Sequence, residues 1–281
     1  MEDGQRVDKK SLGWLLLAGL GALFLAAKAS QDKLWAAVRE PPPYRVSGPG
    51  VSVIIPALEE QKYLPNLLAS IAHQTYGPIE TVICDQSSPE GKRLTKLIAS
   101  HYGAEVVDLE EHHVSRARNE AARVASQSIF LIPDADSILP HEYIEKAVRT
   151  LAQGYVLAHG VKAIYDDIVV NMGYTALARP FWSLLNTSGG LAIRREDYWA
   201  VGGYDESLNP IQGFREDLDF GRRVAQRFGK ERIVLLDIPI GVSARRFWKE
   251  GFLPHKLWAG GAVRHRIADH RIGERVKLLL P

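Results

Sequence analysis

Apolar runs and helical patterns alternate along the middle of the chain. Four continuous apolar runs lie between residues 51 and 133, and the stretches between them carry apolar residues at helical spacing. The runs predict strands buried on both faces, because a strand between two layers of helices needs no polar side. The predicted strands are 51–57, 80–85, 104–109 and 128–133, and the predicted helices are 60–74, 91–101, 115–126 and 141–153.

The alternation becomes less regular after Pro140. Strands interleaved with helices still favour an α/β fold, with a mixed, mainly parallel sheet of the Rossmann-like kind flanked by helices. The later segments are a strand-like run at 155–165, a glycine-containing segment at 186–195, a helical pattern at 215–228 and a last strand at 232–240.

An uncharged stretch of 17 residues, 11–27, lies near the start of the chain with lysines on both sides. This length is the lower limit for crossing a bilayer core of about 30 Å. We therefore predict a single transmembrane helix at 11–29. A cleaved signal peptide ending in the small-residue pattern at 27–29 is one alternative. A buried or interfacial helix is another, and positive charges at both ends leave the orientation open.

A proline-rich segment separates this helix from the first predicted strand. Four prolines and two glycines between residues 39 and 50 favour a stiff linker. The predicted organisation is an N-terminal tail at 1–10, the hydrophobic helix at 11–29, a linker at 30–50, an α/β domain at 51–250 with halves at 51–140 and 141–250, and an amphipathic, basic tail at 251–281.

Composition narrows the choice of partners and chemistry. The chain of 281 residues is 46% hydrophobic and 24% charged, which is typical of a globular protein. A formal net charge of +2 does not favour nucleic acid as a partner. The single cysteine, Cys84, excludes an internal disulfide, and Cys and His residues show no zinc-site spacing.

Aspartates follow two of the predicted strands. Asp85 ends one strand, and the stretch "FLIPDADSIL" places Asp134 and Asp136 directly after another. Ligands of open α/β sheets bind at the carboxyl ends of the strands. In an extended segment residues 134 and 136 point the same way, so both carboxylates can approach one metal ion. Without further motifs, a structural loop or helix cap is the favoured explanation of the same pair.

Six stretches in a fixed order resemble the family 2 glycosyltransferases, whose fold is GT-A. The resemblance covers about residues 51–250 and comes from the combination of stretches more than from any one of them. They are "VSVIIPALEEQKYLPNLLASIAHQTY", "ETVICDQSS", "SRARNEAARVASQSIFLIPDADS", "GGLAIRREDYWAVGGYDESL", "REDLDFGRRV" and "SARRFWKEG". The resemblance implies a nucleotide-binding half at 51–140 and an acceptor half at 141–250.

The resemblance also implies residue roles. Asp217 would be the general base, with Glu216 beside it, and Asp136 together with Asp134 would bind a divalent cation. The residues implied to contact the nucleotide sugar are Pro56, Ala57, Glu60, Asp85, Arg118, Asp134, Gly189, Gly190, Arg245 and Arg246. Without the resemblance, the two acids at 216 and 217 are explained as first-turn residues favoured by the helix macrodipole.

The implied reaction is metal-dependent sugar transfer, with inversion, from a nucleotide sugar to an acceptor hydroxyl or phosphate. A bound Mn²⁺ or Mg²⁺ and nearby arginines neutralise the leaving diphosphate, while a carboxylate takes the acceptor proton. We expect a UDP- or GDP-sugar donor, a glycan or lipid-linked acceptor, and a membrane-associated protein whose catalytic domain faces the cytoplasm. His255 or His265 is an additional candidate metal ligand.

Some positions depart from the family's pattern and leave the nucleotide base open. Leu58 stands where an aromatic residue is frequent, Glu59 where asparagine is frequent and Gln86 where a second aspartate is common. The missing Q-x-x-R-W motif argues against a processive synthase. Two alternatives to the transferase are a non-catalytic binder of nucleotides or glycans and a sugar nucleotidyltransferase. The second is disfavoured, because the chain has no G-x-G-T-R loop after the first strand.

Overall fold

The computed structural model describes residues 9–177, 189–208 and 215–245, with side chains except at 9–16, 177 and 215. The helices are α1 Lys9–Arg39, α2 Leu64–Ala72, α3 Pro89–His101, α4 Val114–Val124, α5 Tyr143–Ala152, α6 Ile168–Leu177, α7 Arg195–Ala200 and α8 Arg215–Phe228. The strands are β1 Val46–Ala57, β2 Tyr76–Asp85, β3 Glu105–Asp108, β4 Ile129–Ile132, β5 Leu157–Ile164, β6 Leu191–Arg194 and β7 Ile233–Val242.

The described strands form one sheet of seven, in the order β3-β2-β1-β4-β6-β5-β7. The pairs β3-β2, β2-β1, β1-β4 and β5-β7 are parallel. Strand β6 runs antiparallel to both β4 and β5. The prediction of a mixed, mainly parallel sheet is therefore confirmed.

The sheet separates two apolar cores. Alternate residues of β1 face opposite sides, so that Val53 and Ile55 lie in one core while Ile54 lies in the other. Helices α2 and α5 cover the first core, and α4, α7 and α8 contribute to the second. Burial on both faces is the reason that β1 and β4 contain continuous apolar runs in the sequence. The same prediction is wrong for β3, because it lies at the edge of the sheet and its residues are exposed or half-buried.

Two helices begin at the carboxyl edge of the parallel strands. Ser88 Oγ accepts a 3.2 Å hydrogen bond from Gly91 N at the start of α3, and His113 Nδ1 accepts one of 3.3 Å from Arg116 N at the start of α4. Such caps satisfy amide groups that have no partner inside the helix. Since helix N-termini carry partial positive charge, this edge of the sheet favours anions.

Helix α1 differs from the predicted organisation, because it continues to Arg39 through about half of the expected linker at 30–50. Its second half packs on the domain. Leu34 is fully buried beside Ile138, and Gln31 Nε2 donates a 3.0 Å hydrogen bond to the carbonyl oxygen of Ile164. The buried positions recur at helical spacing, which the proline-rich segment after them obscures in the sequence.

The expected transmembrane helix at 11–29 finds no support in the structure. Among the residues whose side chains are described, no helix has the length and hydropathy that crossing a bilayer requires. Residues 11–16 of the predicted segment lie outside that set. The part that is described exposes four large apolar side chains, which are Leu17, Leu20, Phe24 and Leu25.

One further difference concerns the start of β1, and some predictions fall on residues that the structure does not describe. Strand β1 begins at Val46, inside the expected linker, with a register irregularity between Ser47 and Val51. Other predictions lie outside the described residues, so the structure says nothing about them. They are the N-terminal tail up to residue 8, Arg246, His255, His265 and the basic tail at 251–281.

Candidate active site

The candidate site lies where the parallel strands end. Ala57 and Asp85, the last residues of β1 and β2, are register partners, and Gln86 N donates a 2.9 Å hydrogen bond to the Ala57 carbonyl oxygen. Pro56 precedes Ala57 on the same strand. Because β1, β2 and β4 are parallel, their carboxyl ends share one edge, and the loop that follows β4 brings Asp134 to that edge.

Asp85 is fully buried and uses one carboxylate oxygen within the protein. Its Oδ1 accepts hydrogen bonds from Ser87 N at 2.9 Å and from Ser87 Oγ at 2.5 Å. Its Oδ2 is buried without a hydrogen-bond partner among the described residues. A buried acceptor without a donor costs about 1–3 kcal/mol. The site therefore holds one acceptor that a ligand N–H would satisfy.

Arg118, on α4, joins three carboxylates. Its guanidinium lies 3.2 Å from Asp134 Oδ1, 3.1 Å from Asp217 Oδ1 and 3.6 Å from Glu216 Oε1. The arginine side chain is only 4% exposed, so these contacts are shielded from water. Asp134 follows β4, whereas the other two acids begin α8. One buried cation thus connects the two halves of the domain.

Burial and charge shift the pKa values of this cluster. Burial by itself lowers the pKa of Arg118, but the surrounding carboxylates, Asp217 first among them, outweigh it and hold that pKa well above its ordinary value. Burial, reinforced by the neighbouring Asp217 carboxylate, raises the pKa of Glu216. Arg118 is therefore a permanent positive charge in the site.

Tyr204 orients Asp217 and was not singled out from the sequence. The Tyr204 hydroxyl donates a 3.0 Å hydrogen bond to Asp217 Oδ1, and its ring lies 4.6 Å from the Arg118 guanidinium carbon. Asn119 Oδ1 accepts a 2.9 Å hydrogen bond from Tyr204 N, which fixes the tyrosine backbone. The resemblance implies an acceptor-side role for the whole stretch "GGLAIRREDYWAVGGYDESL", and nothing in the sequence distinguishes this ring.

A second arginine, Arg245, lies over the other aspartate. Its Nε and Nη2 are 3.1 and 3.0 Å from Asp136 Oδ2, and its Nη2 also donates to Glu60 Oε1. The guanidinium carbon is 4.5 Å from the centre of the Tyr63 ring. Among the described residues, Glu60 Oε2 is buried without a hydrogen-bond partner. The predicted Glu60, Asp136 and Arg245 are thus neighbours, and Tyr63 is an additional member.

Asp166 holds the segment that carries Arg245. Its carboxylate accepts a 2.6 Å hydrogen bond from Ser243 Oγ and one of 2.7 Å from Ala244 N. Arg245 N in turn donates a 3.2 Å hydrogen bond to Ser243 Oγ. The segment after β5, which carries Asp166, therefore fixes the backbone at Arg245. An aspartate in an irregular loop gives no sequence signal for such a role.

The glycine pair before β6 lies in a tight space. Tyr143 OH donates hydrogen bonds to the carbonyl oxygens of Gly190 at 2.9 Å and Gly189 at 3.3 Å. A Cβ atom at Gly190, which has φ +55°, would approach Ile240 Cδ1 to 2.6 Å, and one at Gly189 would approach Lys162 Cε to 2.9 Å. Packing and backbone conformation alone therefore require glycine at position 190.

Asp134 and Asp136 supply carboxylate oxygens, the ligand type that Mg²⁺ and Mn²⁺ prefer. Within the described parts of the chain, no group of three or more His, Cys, Asp or Glu side chains is arranged to hold a metal ion. Mg²⁺ is commonly held by one or two carboxylates together with substrate phosphates. The aspartate pair therefore fits a cation that also binds a diphosphate, and it does not fit a cage made of protein ligands alone.

Solved structures share this fold. The mannosyltransferase PcManGT from Pyrobaculum calidifontis, in complex with GDP-Man and Mn²⁺, is similar over 83% of this chain and 70% of its own, with a TM-score of 0.56 and 23% identity. S. aureus TarS 1–349 in complex with UDP-GlcNAc is similar over 69% of this chain and 58% of its own, with a TM-score of 0.54 and 20% identity. The class that the fold defines is thus a GT-A-type α/β domain.

Sequence comparison shows the family. Residues 52–203, more than half of the chain, match the model of Glycosyl transferase family 2. The chain belongs to this family, which confirms the resemblance at the level of family and fold.

Two curated relatives agree with this assignment. An uncharacterized glycosyltransferase from Haemophilus influenzae is 26% identical over 192 residues, which are 63% of this chain and 62% of that protein. A dolichol-phosphate mannosyltransferase from Pyrococcus furiosus is 28% identical over 167 residues, 58% of this chain and 45% of that protein. The chain therefore spans less than two thirds of either relative.

Proposed function

We propose that this protein is a metal-dependent glycosyltransferase that moves a sugar from a nucleotide sugar to an acceptor hydroxyl or phosphate. One observation carries the proposal. Arg118 lies within 3.2 Å of both Asp134, at the strand ends where donors bind in such folds, and Asp217, at the start of α8. A donor-side carboxylate and an acceptor-side carboxylate thus contact one buried cation, which holds the two proposed substrate sides close together.

The proposed donor carries uracil. Asp85 Oδ1 is already used by Ser87, which leaves Oδ2 as the buried acceptor for a base. Uracil presents a single N–H between two carbonyl groups, and one carboxylate oxygen satisfies it. Guanine presents two adjacent N–H donors, which are best matched by both oxygens of a carboxylate. This count of acceptors supports a UDP-sugar over a GDP-sugar.

The diphosphate would lie between Asp136 and the arginines. Asp134 and Asp136 would hold the divalent cation, which when bound neutralises negative charge on the leaving diphosphate. Arg118 and Arg245 are placed beside these aspartates and would add positive charge to the same region. Glu60 and the end of β1, at Pro56 and Ala57, would line the nucleotide.

Asp217 is the proposed general base. Tyr204 and Arg118 fix its Oδ1, so that Oδ2 would receive the acceptor proton. One positioned base is sufficient for a single displacement with inversion at the anomeric carbon. Glu216 would stand beside it and help to position the acceptor, and Gly189 and Gly190 would lie beneath the sugar.

Two considerations bear on the acceptor, which is either a hydroxyl group or a lipid-linked phosphate. A hydroxyl acceptor must lose a proton, which gives Asp217 its role, whereas a lipid phosphate is ionised already at neutral pH. The relative from Pyrococcus furiosus acts on dolichol phosphate by its name, so a polyprenyl phosphate is the lipid-linked acceptor to test against glycan hydroxyls. A nucleotide-sugar donor would place the catalytic domain in the cytoplasm.

The direct test measures nucleotide release. Purified full-length protein with Mn²⁺ is incubated with UDP-GlcNAc, UDP-glucose or GDP-mannose, with and without polyprenyl phosphate or an oligosaccharide pool. Asp217→Asn should lower the rate by about 10²- to 10⁴-fold while donor binding persists. Asp237→Asn, which makes the same change at an exposed position of β7, should leave the rate unchanged. Full activity of Asp217→Asn, or no release from any donor by the wild type, would contradict the proposal.

A further inference from the structure

The Arg245 guanidinium lies against Asp136, one of the two proposed cation ligands. Arg245 contacts Asp136 Oδ2 through both Nε and Nη2, and its Nη2 also reaches Glu60. The aspartate side chain is 7% exposed and the arginine 24%, so the arginine is the more exposed partner of the pair. A divalent cation approaching this oxygen meets a positive charge that is already bound there.

We infer that Arg245 competes with the divalent cation for Asp136 and couples cation binding to nucleotide binding. Resting on the proposed function, the inference assigns Arg245 two alternative partners. Without donor, it neutralises Asp136 and Glu60. With a donor diphosphate present, the guanidinium turns to the phosphate oxygens and releases the Asp136 oxygen to the cation.

The charges favour this exchange only when both ligands are present. Moving Arg245 away from Asp136 separates opposite charges in a mostly buried place, which is costly. A cation alone replaces the arginine at Asp136 and gives Arg245 no new anion in exchange, so that Arg245 keeps only its contact with Glu60. A diphosphate supplies several oxygens that match the guanidinium fork. Cation and nucleotide therefore bind more tightly together than separately, and the coupling is reciprocal.

The local structure allows the side chain to move while the backbone stays. Asp166 accepts hydrogen bonds from Ser243 Oγ and Ala244 N, and Ser243 Oγ accepts one from Arg245 N. These bonds fix the base of a long, flexible side chain. The Tyr63 ring beneath the guanidinium gives a contact that does not depend on hydrogen bonds and can persist in both positions.

The first test needs no nucleotide. Mn²⁺ binding to the full-length protein is followed through the electron paramagnetic resonance signal of free Mn²⁺, for wild type, Arg245→Met and Arg93→Met. Arg93 is an exposed residue of α3 that pairs with Glu90, so its substitution removes the same charge elsewhere. Arg245→Met should bind Mn²⁺ about tenfold more tightly than wild type, within the range of typical couplings, and Arg93→Met should match wild type.

Two further variants show that the gain belongs to this site. In the Arg245→Met background, Asp136→Asn should abolish the gain in Mn²⁺ affinity. Arg245→Lys keeps the charge and loses the two-pronged contact with the carboxylate, so its Mn²⁺ affinity should lie between those of wild type and Arg245→Met. Thermal unfolding of each variant establishes that it is folded, and Arg245→Lys decides the matter if Arg245→Met is not. Equal Mn²⁺ affinity of wild type and every folded Arg245 variant would overturn the inference.

The second test adds UDP. In the wild type, saturating UDP should raise the Mn²⁺ affinity by at least about tenfold, and in Arg245→Met this increase should be much smaller. An equal increase in both proteins would contradict the coupling. Failure of the proposed function has a different result. If the protein is not a nucleotide-sugar enzyme, neither UDP nor GDP binds to the wild type with Mn²⁺ present. The Mn²⁺ titration without nucleotide still decides whether Arg245 competes with the cation.

Discussion

The Arg118 guanidinium lies 3.1 Å from Asp217 Oδ1. The two residues are far apart in the sequence, one on α4 in the regular half of the domain and the other on α8 in the less regular half. Burial of the arginine strengthens the contact, since water does not screen it. The pair connects the proposed donor and acceptor sides.

Replacement of Arg118 should affect stability and activity together. Arg118→Met leaves Asp134, Glu216 and Asp217 without their shared cation, and breaking a buried ion pair from one side costs about 3–5 kcal/mol. We expect a corresponding loss in the free energy of unfolding, measured with urea, and loss of nucleotide release. Arg123→Met, on the same helix but about half exposed, should cost less than about 1 kcal/mol. Similar losses for the two variants would contradict the role of Arg118.

Removal of one hydroxyl tests the orientation of Asp217. Tyr204→Phe keeps the ring against Arg118 and loses the hydrogen bond to Asp217, which is worth about 1.5–3 kcal/mol when one partner is charged. The expected result is a kcat lowered about tenfold with an unchanged affinity for the donor nucleotide. A fall in donor affinity with kcat unchanged would show that Tyr204 acts on the donor side instead.

The raised pKa of Glu216 predicts a pH-dependent effect on stability. Burial makes its charged form unfavourable in the folded protein, so folding is penalised as the pH rises through the ordinary pKa of 4.5 and above. Glu216→Gln should therefore melt about 2 °C higher than wild type at pH 7.5. The difference should vanish below pH 4.5, where both side chains are neutral. A difference that does not change with pH would contradict this explanation.

Helix α1 should contribute to stability through its second half. Leu34 is fully buried against Ile138, whereas Leu25, on the same helix, is 68% exposed. Leu34→Ala should lower the free energy of unfolding by about 2–5 kcal/mol, and Leu25→Ala should change it by less than about 0.5 kcal/mol. Urea denaturation compares the two. Equal effects would show that α1 does not pack on the domain in solution.

The strands and helices between residues 51 and 133 were predictable because each has a regular apolar pattern. The start of the chain was not. Apolar residues 11–27 dominate the pattern there and hide the weaker stripe that contains Leu34, so the predicted helix ends before the observed one. The antiparallel direction of β6 was not predictable either, since the four residues Leu191–Arg194 carry no signal for antiparallel pairing.

The candidate site was predicted as a set of acids and arginines, and the structure places those it describes at one edge of the sheet. Their pairing was not predictable. That Arg118 joins Asp134 to Asp217, or that Arg245 covers Asp136, depends on chain segments separated by about a hundred residues. Tyr204 and Asp166 act through hydrogen bonds to residues that are distant or irregularly placed in the sequence. The residue type alone does not predict such a role.

The most direct test of the account is calorimetric titration of UDP and GDP into the full-length protein, with and without Mn²⁺, for wild type and Asp136→Asn. We predict that UDP binds with Mn²⁺ present, more tightly than GDP, and that Asp136→Asn weakens this binding by about tenfold or more. Tighter binding of GDP would contradict only the assignment of uracil as the base that Asp85 binds. Binding of neither nucleotide to the folded wild-type protein with Mn²⁺ would contradict the proposal that the site holds a nucleotide sugar.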